Sequence, residues 1–283
     1  MIQLIECPRD AMQGLKEFIP TEQKVRYINQ LLKVGFHTID FGSFVSPKAI
    51  PQMRDTAEVL AALDLNATNS KLLAIVANSR GARDASIYDS IDYLGYPFSI
   101  SETFQLRNTN ATIDDSVHRL SEICSIAEAH NKKMVVYISM GFGNPYGDEW
   151  NADIVKKWTD NLISMGVDII SLSDTIGVAN PENIRYIFGE LIPSYPEITF
   201  GAHLHTTPDT WKEKVKAAYE KGCRRFDGAI KGYGGCPMAK DDLTGNMPTE
   251  NLVYFFDEIE EEMSLDRKAF NQSLSAAMDV FPV

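Results

Sequence analysis

His203 and His205 are the residues whose type and spacing most directly suggest chemistry. They close the β-branched and aromatic run 198–202, which is typical of a strand, and residues two apart on a strand point to the same side. Both imidazoles would therefore leave the strand's end together, as half of a metal site. The alternative is a pair of histidines hydrogen-bonded at a strand end, and spacing alone leaves that alternative open.

Further candidate residues stand at the ends of other strand-like runs. Asp10 follows the first run and is a second ligand candidate, with the permanent cation of Arg9 beside it. Asp40 ends the second run, and Asp174 follows the sixth. Each has a plainer interpretation as well, because an Arg-Asp pair can form a surface turn and an aspartate can cap one.

The most unusual segment is Gly234-Gly235-Cys236-Pro237, which precedes Asn246. Adjacent glycines and a proline around a lone cysteine predict a loop that can move and present a thiol. A buried cysteine acting as a small hydrophobic residue is the commoner alternative.

The elements that must position these residues alternate between short strand-like and longer amphipathic runs. The predicted strands are 2–5, 37–41, 72–77, 96–100, 134–139, 168–172, 198–202 and 225–229. The predicted helices begin near Thr21, where Pro20-Thr21-Glu22 offers a cap, and continue at 51–63, 84–94, 112–130, 152–165, 181–191, 209–221 and 250–263.

Eight β-then-α units of roughly 25 to 35 residues fit an α/β (β/α)8 TIM barrel, whose chemistry lies on the loops at the C-terminal ends of its strands. A doubly wound sheet is the alternative fold, but no G-x-G-x-x-G sequence follows a strand. The 283 residues predict a single catalytic domain, 1–283, since α/β barrels of about 250 residues commonly form one domain.

Composition excludes several classes of function. A net charge of -12 and a pI near 4.9 argue against nucleic-acid binding, which needs basic surface. The four cysteines lack C-x-x-C spacing, so we expect reduced thiols in a cytoplasmic protein. We see no signal peptide at the start and no apolar run of about 18 residues, so no membrane association is expected.

Six motifs stand out along the chain. They are Pro8-Arg9-Asp10, Ser43-Phe44-Val45-Ser46-Pro47-Lys48 with Pro51-Gln52-Met53, Ser101-Glu102-Thr103-Phe104, Asp174-Thr175-Ile176-Gly177-Val178, His203-Leu204-His205 and Gly234-Gly235-Cys236-Pro237. Together they resemble the 3-hydroxy-3-methylglutaryl-CoA lyase family, which belongs to a broader group of metal-dependent barrel enzymes that make or break carbon–carbon bonds. The motifs stand in that family's order, and the resemblance runs from residue 4 to about residue 255.

The resemblance implies a divalent cation, usually magnesium or manganese, held by Asp10, His203, His205 and Asn246. Two imidazoles, one carboxylate and one amide oxygen suit Mg or Mn, with Zn the main competitor. The implied partners are an acyl-CoA thioester as substrate and a second copy of the chain in a homodimer.

The implied reaction is the retro-aldol-type cleavage of 3-hydroxy-3-methylglutaryl-CoA into acetoacetate and acetyl-CoA. Arg9 is expected to stabilise the developing oxyanion, and Asp40 to steady Arg9. Cys236 is the expected acid for the enolate carbon, while His203 and Asp174 are further catalytic candidates. The expected substrate-binding residues are Arg9, Gln13, Lys16, Asn108 and Thr175.

Several positions depart from the family's pattern. Asp40 stands for glutamate, Ala11 for glycine and Thr206 for aspartate, and the loop from Cys236 to Asn246 is one residue longer. The family's cysteine-containing segment reads Gly141-Phe142-Gly143-Asn144-Pro145 here. Two alternatives therefore stay open: a related barrel enzyme acting on another hydroxyacyl-CoA or a 2-oxo acid, and a non-catalytic metal-binding barrel.

Overall fold

A computed structural model describes residues 1–66, 68–235 and 244–281. Eight parallel strands close into a barrel in the order β1-β2-β3-β4-β5-β6-β7-β9, and two short strands pair outside it. The strands are β1 (Gln3–Glu6), β2 (Thr38–Ser43), β3 (Lys71–Ile75), β4 (Tyr93–Ser99), β5 (Lys133–Ser139), β6 (Ile169–Ser173), β7 (Thr199–His203), β8 (His205–Thr206), β9 (Arg225–Gly228) and β10 (Gly245–Asn246). The predicted TIM barrel is confirmed, and the closed sheet excludes the doubly wound alternative.

Helices surround the barrel. They are α1 (Pro8–Gln13), α2 (Thr21–Leu32), α3 (Thr56–Ala61), α4 (Ser79–Ser86), α5 (Glu102–Thr109), α6 (Ile113–Ala129), α7 (Ala152–Ser164), α8 (Pro181–Ser194), α9 (Trp211–Glu220), α10 (Thr249–Glu258) and α11 (Arg267–Val280). Among the described helices, none combines the length and apolar character needed to cross a bilayer.

The apolar residues form two layers. A small cluster that includes Leu73, Val135, Tyr137 and Ile169 fills the barrel lumen. A much larger cluster packs the outer faces of the strands against the helices. This division follows from the two-residue period of a strand, which sends alternate side chains to opposite faces.

Several predicted helices differ from the structure. The prediction of a helix over 84–94 is wrong: α4 ends at Ser86, and β4 already begins at Tyr93. Asn78 caps α4, since its side chain accepts a hydrogen bond from the Gly81 N–H. The predicted helix 51–63 is a 3-10 turn at 51–53 followed by the short helix α3.

Thr21 is not a cap. It is the first residue of α2, Pro20 occupies the capping position, and the Thr21 hydroxyl donates to Asp55 at 2.8 Å. Helices α1, α5 and α11 were absent from the sequence prediction; α1 and α5 have only six and eight residues, too few to reveal a helical period.

Candidate metal centre

Asp10 lies on the short helix α1, which starts two residues after the end of β1. Proline at the first position of α1 suits a helix start, because a proline lacks the N–H that would be unbonded there. This single turn brings Arg9, Asp10 and Gln13 together. The Asp10 carboxylate accepts hydrogen bonds from Arg9 Nη1 at 2.9 Å and from Gln13 Nε2 at 2.7 Å.

Arg9 is held from a second side by Asp40 of β2. Its Nε lies 3.2 and 3.1 Å from the two Asp40 oxygens, and its Nη2 donates to the same carboxylate. Burial raises the pKa of Asp40 to about 6, although Arg9 opposes the shift. Burial would lower the pKa of Arg9, but Asp40 and Asp10 hold it above its ordinary value. Although aspartate is shorter than the glutamate usual in the family, the hydrogen bonds show that the Asp40 carboxylate reaches the Arg9 guanidinium.

The two histidines occupy neighbouring short strands. His203 ends β7 and His205 begins β8, and their ring centroids lie 5.5 Å apart. Burial and the adjacent His203 lower the pKa of His205 to about 3, so this imidazole is neutral at pH 7. Its Nδ1 is buried without a hydrogen-bond partner among the described residues. A neutral imidazole with a free lone pair is suited to a cation.

Asn246 reaches the histidines through the antiparallel pairing of β10 with β8. In that register Asn246 lies opposite His205, which joins residues far apart in the chain. The Asn246 amide donates to Asp10 Oδ2 at 2.7 Å and to the Tyr233 carbonyl at 2.9 Å. Asn246 therefore contacts the carboxylate expected to share its metal ion.

The donor atoms of Asp10, His203 and His205 all lie within 4.8 Å of one another. The Asp10 carboxylate, the imidazole of His203 and the neutral imidazole of His205 form a donor set that a divalent cation fits. The structure thus brings the four predicted ligands to one place, as a possible metal-binding cluster.

Gly234 lies directly on this cluster. Its φ is +83°, and a Cβ there would stand 2.7 Å from the Asp10 carbonyl oxygen and 2.8 Å from Ala11 Cα. Only glycine allows the loop to approach α1 so closely. Cys236 and Pro237, the next candidates in this loop, lie outside the described residues.

The remaining predicted site residues are spread more widely. Asp174 is buried, with Oδ2 accepting from Lys214 at 2.8 Å and Oδ1 accepting from the Ala179 N–H at 2.8 Å, as in a turn cap. Thr175 follows it and has a buried hydroxyl without a partner among the described residues. Lys16 and Asn108 are exposed, and within the described ranges neither bonds to the cluster.

Two residues beside the cluster were missed from the sequence. Asp227 Oδ2 lies 3.1 Å from His203 Nδ1, and Lys214 Nζ donates to the His205 carbonyl at 2.7 Å. Asp227 carried a weak signal, because it is a charged residue inside the predicted strand 225–229. Lys214 carried none, since a lysine on an amphipathic helix is normally exposed.

Three of the four cysteines lie in the described part of the chain. Cys7, Cys124 and Cys223 are buried and free of disulfides. The free thiol of Cys7 lies close to the cluster, within 4.8 Å of His203 and Asp227 donor atoms.

Comparison with known proteins places these features in a family. The HMGL-like family model matches residues 2–276. Hydroxymethylglutaryl-CoA lyase of Bacillus subtilis is 33% identical over 253 residues, covering 89% of this chain and 84% of that protein. A Pseudomonas aeruginosa protein named 3-hydroxy-3-isohexenylglutaryl-CoA/hydroxy-methylglutaryl-CoA lyase is 31% identical, covering 95% of this chain and 89% of that one.

Among solved structures, an HMG-CoA lyase from Acinetobacter baumannii in complex with coenzyme A and 3-methylmalate superposes with a TM-score of 0.90. It is 32% identical, and the match covers 99% of this chain and 91% of that chain. The family match over nearly the whole sequence, together with these relatives, shows that the chain belongs to the HMGL-like family of 3-hydroxy-3-methylglutaryl-CoA lyases.

Proposed function

We propose that the protein is a divalent-metal-dependent lyase that cleaves 3-hydroxy-3-methylglutaryl-CoA into acetoacetate and acetyl-CoA. The observation that carries this proposal is the meeting of Asp10, His203 and His205 donor atoms within 4.8 Å, next to the Arg9 guanidinium. Family membership and the names of the relatives support the same reaction.

Asp10, His203, His205 and Asn246 are the ligands in this proposal, and Mg²⁺ or Mn²⁺ is the ion, with Zn²⁺ its main competitor. When bound, the ion supplies Lewis-acid polarisation of the substrate's oxygen atoms. Asp10 is the only charged ligand of the four, so the site keeps net positive charge for an anionic substrate.

The cleavage transfers the proton of the C3 hydroxyl to a base, for which His203 with Asp227 is the candidate, and breaks the bond between C2 and C3. The C3 fragment becomes acetoacetate, and the C2 fragment becomes the enolate of acetyl-CoA, which takes a proton at carbon. Arg9 supports the oxyanion that develops, because its Nη2 carries a second N–H to which no described residue bonds. Asp40 and Gln13 position the guanidinium through their hydrogen bonds to it.

Proton transfer in this proposal belongs to Cys236, His203 and Asp174. Cys236 is the candidate acid for the enolate carbon, because a thiol with a reference pKa of about 8.5 is a far better acid than a hydroxyl. His203 Nδ1 already contacts Asp227, so Nε2 is the nitrogen left for the ion, and His203 would take part in proton transfer through its contact with Asp227. Asp174 is engaged by Lys214 and contributes through that ion pair.

Thr175, Lys16 and Asn108 remain the proposed further contacts for the acyl-CoA substrate. A groove of about 690 Å³ runs along the same rim of the barrel and is lined by Arg107, Tyr146, Thr206 and Thr210, among others. The positive charge of Arg107 and the hydroxyl groups suit a phosphate-bearing coenzyme.

A different hydroxyacyl-CoA is the second candidate substrate. The name of the Pseudomonas aeruginosa relative includes a substrate with a longer branch. Ala11 and Thr206 also depart from the family's usual residues. Either substitution changes the space and polarity available to the acyl group.

Substrate identity is tested by incubating purified protein and Mg²⁺ with a panel of 3-hydroxy-3-alkylglutaryl-CoA esters. Mass spectrometry follows the oxo acid and acetyl-CoA released. We expect the methyl ester to give acetoacetate at the highest kcat/KM. Faster cleavage of a longer-branched ester would favour the second candidate, and an absence of any cleavage would contradict both.

We further propose that residues 1–283 form a single catalytic domain and that the protein is a homodimer in the cytoplasm. Its partner in this proposal is an acyl-CoA thioester, and it binds neither nucleic acid nor a membrane. The free thiols support a reducing compartment. One chain has a mass of 31.6 kDa, and light scattering of the purified protein is expected to give twice that mass. A 31.6 kDa particle at micromolar concentration would contradict the dimer.

A further inference from the structure

Asp227 is the buried acid that the reaction scheme leaves without a role. It lies on β9, and the parallel register of β7 with β9 pairs it directly with His203. Its Oδ2 is 3.1 Å from His203 Nδ1, and its side chain has 0% exposure. The hydrogen bond therefore forms between adjacent strands of the barrel wall, where neither backbone can shift independently.

This contact selects one form of the His203 ring. A carboxylate accepts, so His203 Nδ1 carries the proton of the neutral ring, and Nε2 of that form keeps its lone pair for an ion. The Tyr137 ring packs edge-on against the imidazole, with centroids 5.8 Å apart and an interplanar angle of 83°. The hydrogen bond and the aromatic contact together fix both the tautomer and the plane of the ring.

Arg225 accompanies Asp227 on the same face of β9, two residues earlier. Its guanidinium is buried, and none of its nitrogens has a hydrogen-bond partner within the described part of the chain. Gly201, opposite Arg225 in the register, leaves room for the side chain, because a Cβ there would stand 3.2 Å from Arg225 Cδ. Arg225 thus adds a buried positive charge to the strand face that carries Asp227.

We propose that Asp227 is a positioning residue: it holds His203 with Nδ1 protonated and Nε2 directed to the metal ion. The inference rests on the proposed metal-dependent function, but it concerns how the site is held and not which substrate is cleaved. Carboxylates that accept the second N–H of a ligating histidine commonly contribute about 10- to 100-fold to metal affinity.

The tautomer is tested in the unaltered protein. We expect NMR of the Mg²⁺-loaded chain labelled with ¹⁵N in its five histidines to show His203 protonated at Nδ1 and aprotic at Nε2. The His203→Gln variant assigns the signal by its loss. A proton on Nε2, with Nδ1 facing the ion, would overturn the inference and favour a metal site formed with Cys7 and Asp227.

The contribution to affinity is tested by calorimetric titration of Mn²⁺ into chelator-stripped protein. Asp227→Asn keeps the shape of the side chain but removes its charge, and we expect Mn²⁺ affinity to fall about 10- to 100-fold. Asp168→Asn is the matched control, since Asp168 is an exposed partner of Lys133 at the start of β6. Equal affinity in Asp227→Asn and the unaltered protein would overturn the inference.

Two separate measurements distinguish failure of the positioning role from failure of the proposed function. If the Asp227→Asn substitution weakens Mn²⁺ binding but the unaltered protein cleaves none of the hydroxyacyl-CoA esters, the positioning role is supported and the lyase assignment is contradicted. If the unaltered protein cleaves the esters but Asp227→Asn leaves Mn²⁺ affinity unchanged, the lyase assignment is supported and the positioning role is contradicted.

Discussion

Arg9 is the residue on which the electrostatics of the site converge. It contacts Asp10, Gln13 and Asp40 at once, so the guanidinium is held rigidly and most of its N–H groups are occupied. A rigid cation costs little reorganisation when negative charge develops on a substrate oxygen. This arrangement explains how one residue can serve the transition state while remaining part of the folded core.

Replacing Arg9 by methionine is expected to lower kcat by about 10² or more, which corresponds to a loss of roughly 3 to 4 kcal/mol of transition-state stabilisation. Metal affinity should change by only a few-fold, because Asp10 keeps its hydrogen bonds to Gln13 and Asn246. Steady-state kinetics and metal titration check the two quantities. Arg26→Met, on the exposed face of α2, is the control; equal kcat in both variants would remove Arg9 from the reaction.

Glu6 is a buried acid outside the metal centre. Its carboxylate accepts a hydrogen bond from the Ile230 N–H at 2.9 Å and another from the Thr249 hydroxyl. Burial raises its pKa to about 8 in spite of these two bonds, and nearby Glu250 adds to the shift. Glu6 thereby joins the two ends of the segment that carries Gly234 and Asn246.

The raised pKa of Glu6 predicts a pH dependence of stability. The folded state binds this proton more tightly than the unfolded chain, so the contribution is present below pH 4.5 and is lost as pH rises through about 8. Relative to Glu6→Gln, the unaltered protein should therefore lose thermal stability by about 5 °C or more between pH 5 and pH 9.

Thermal unfolding curves at intervals across this range provide the measurement. Glu22→Gln, an exposed substitution in the first turn of α2, is the control for loss of one carboxylate. A constant difference in Tm between Glu6→Gln and the unaltered protein at every pH would show that Glu6 does not titrate in this window.

At the scale of elements, the segment between β9 and α10 completes the metal centre. It returns as β10 to pair with β8, and the Ala229 carbonyl accepts from the Thr249 N–H at 3.1 Å. Tyr233 stacks on Phe281, which follows α11, with ring centroids 4.4 Å apart. The C-terminal helix thus supports the carbonyl that orients Asn246.

Gly234→Ala is expected to weaken metal binding by about 10-fold or more and to lower Tm, because its Cβ would push the loop away from Asp10. Two control variants separate the effect of backbone strain from the effect of a Cβ clash. Gly147 has a similar φ of +82° but open space around it, so Gly147→Ala carries strain without a clash. Gly14→Ala carries neither. Equal metal affinity in all three variants would contradict the close approach of this loop to the site.

The strands were largely predictable from the sequence, and the short helices were not. Runs such as 134–139 are buried on both faces and are apolar except for Ser139, so the sequence alone identifies them as strands. The β4 boundary was missed because Tyr93 and Leu94 extend the apolar spacing of the preceding helical run. Helix α11 was missed because its 14 residues follow the eighth unit, where the barrel pattern demands no further element.

The complete metal cluster was predictable only through the resemblance. Spacing indicated that His203 and His205 share a side of the chain, the place of Asp10 after the first strand made it a ligand candidate, and the resemblance added Asn246. The β10–β8 pair that brings Asn246 opposite His205 is two residues long and has no sequence period. Asp227 was missed because an aspartate inside a strand reads equally well as a solvated position, and Cys236 stays a prediction.

At the scale of the whole molecule, the closed barrel explains why residues from three distant segments meet. Parallel strands place all their C-terminal ends at one rim, so residues that follow β1, β7 and β9 converge there. At and below this rim the positive charges of Arg9, Arg225 and Lys214 lie among the side chains of Asp10, Asp40, Asp174 and Asp227. A bound divalent ion would therefore supply the net positive charge that suits an anionic thioester in an acidic protein.

The central claim is that cleavage depends on one divalent ion held by Asp10, His203, His205 and Asn246. The most direct measurement is acetoacetate formation from 3-hydroxy-3-methylglutaryl-CoA by chelator-stripped protein, with Mg²⁺ or Mn²⁺ added in steps and ion binding recorded in parallel. We expect no product without metal, a rise that follows occupancy of one site per chain, and no recovery in His205→Ala. Undiminished acetoacetate formation by the metal-free protein, or by His205→Ala, would contradict the claim.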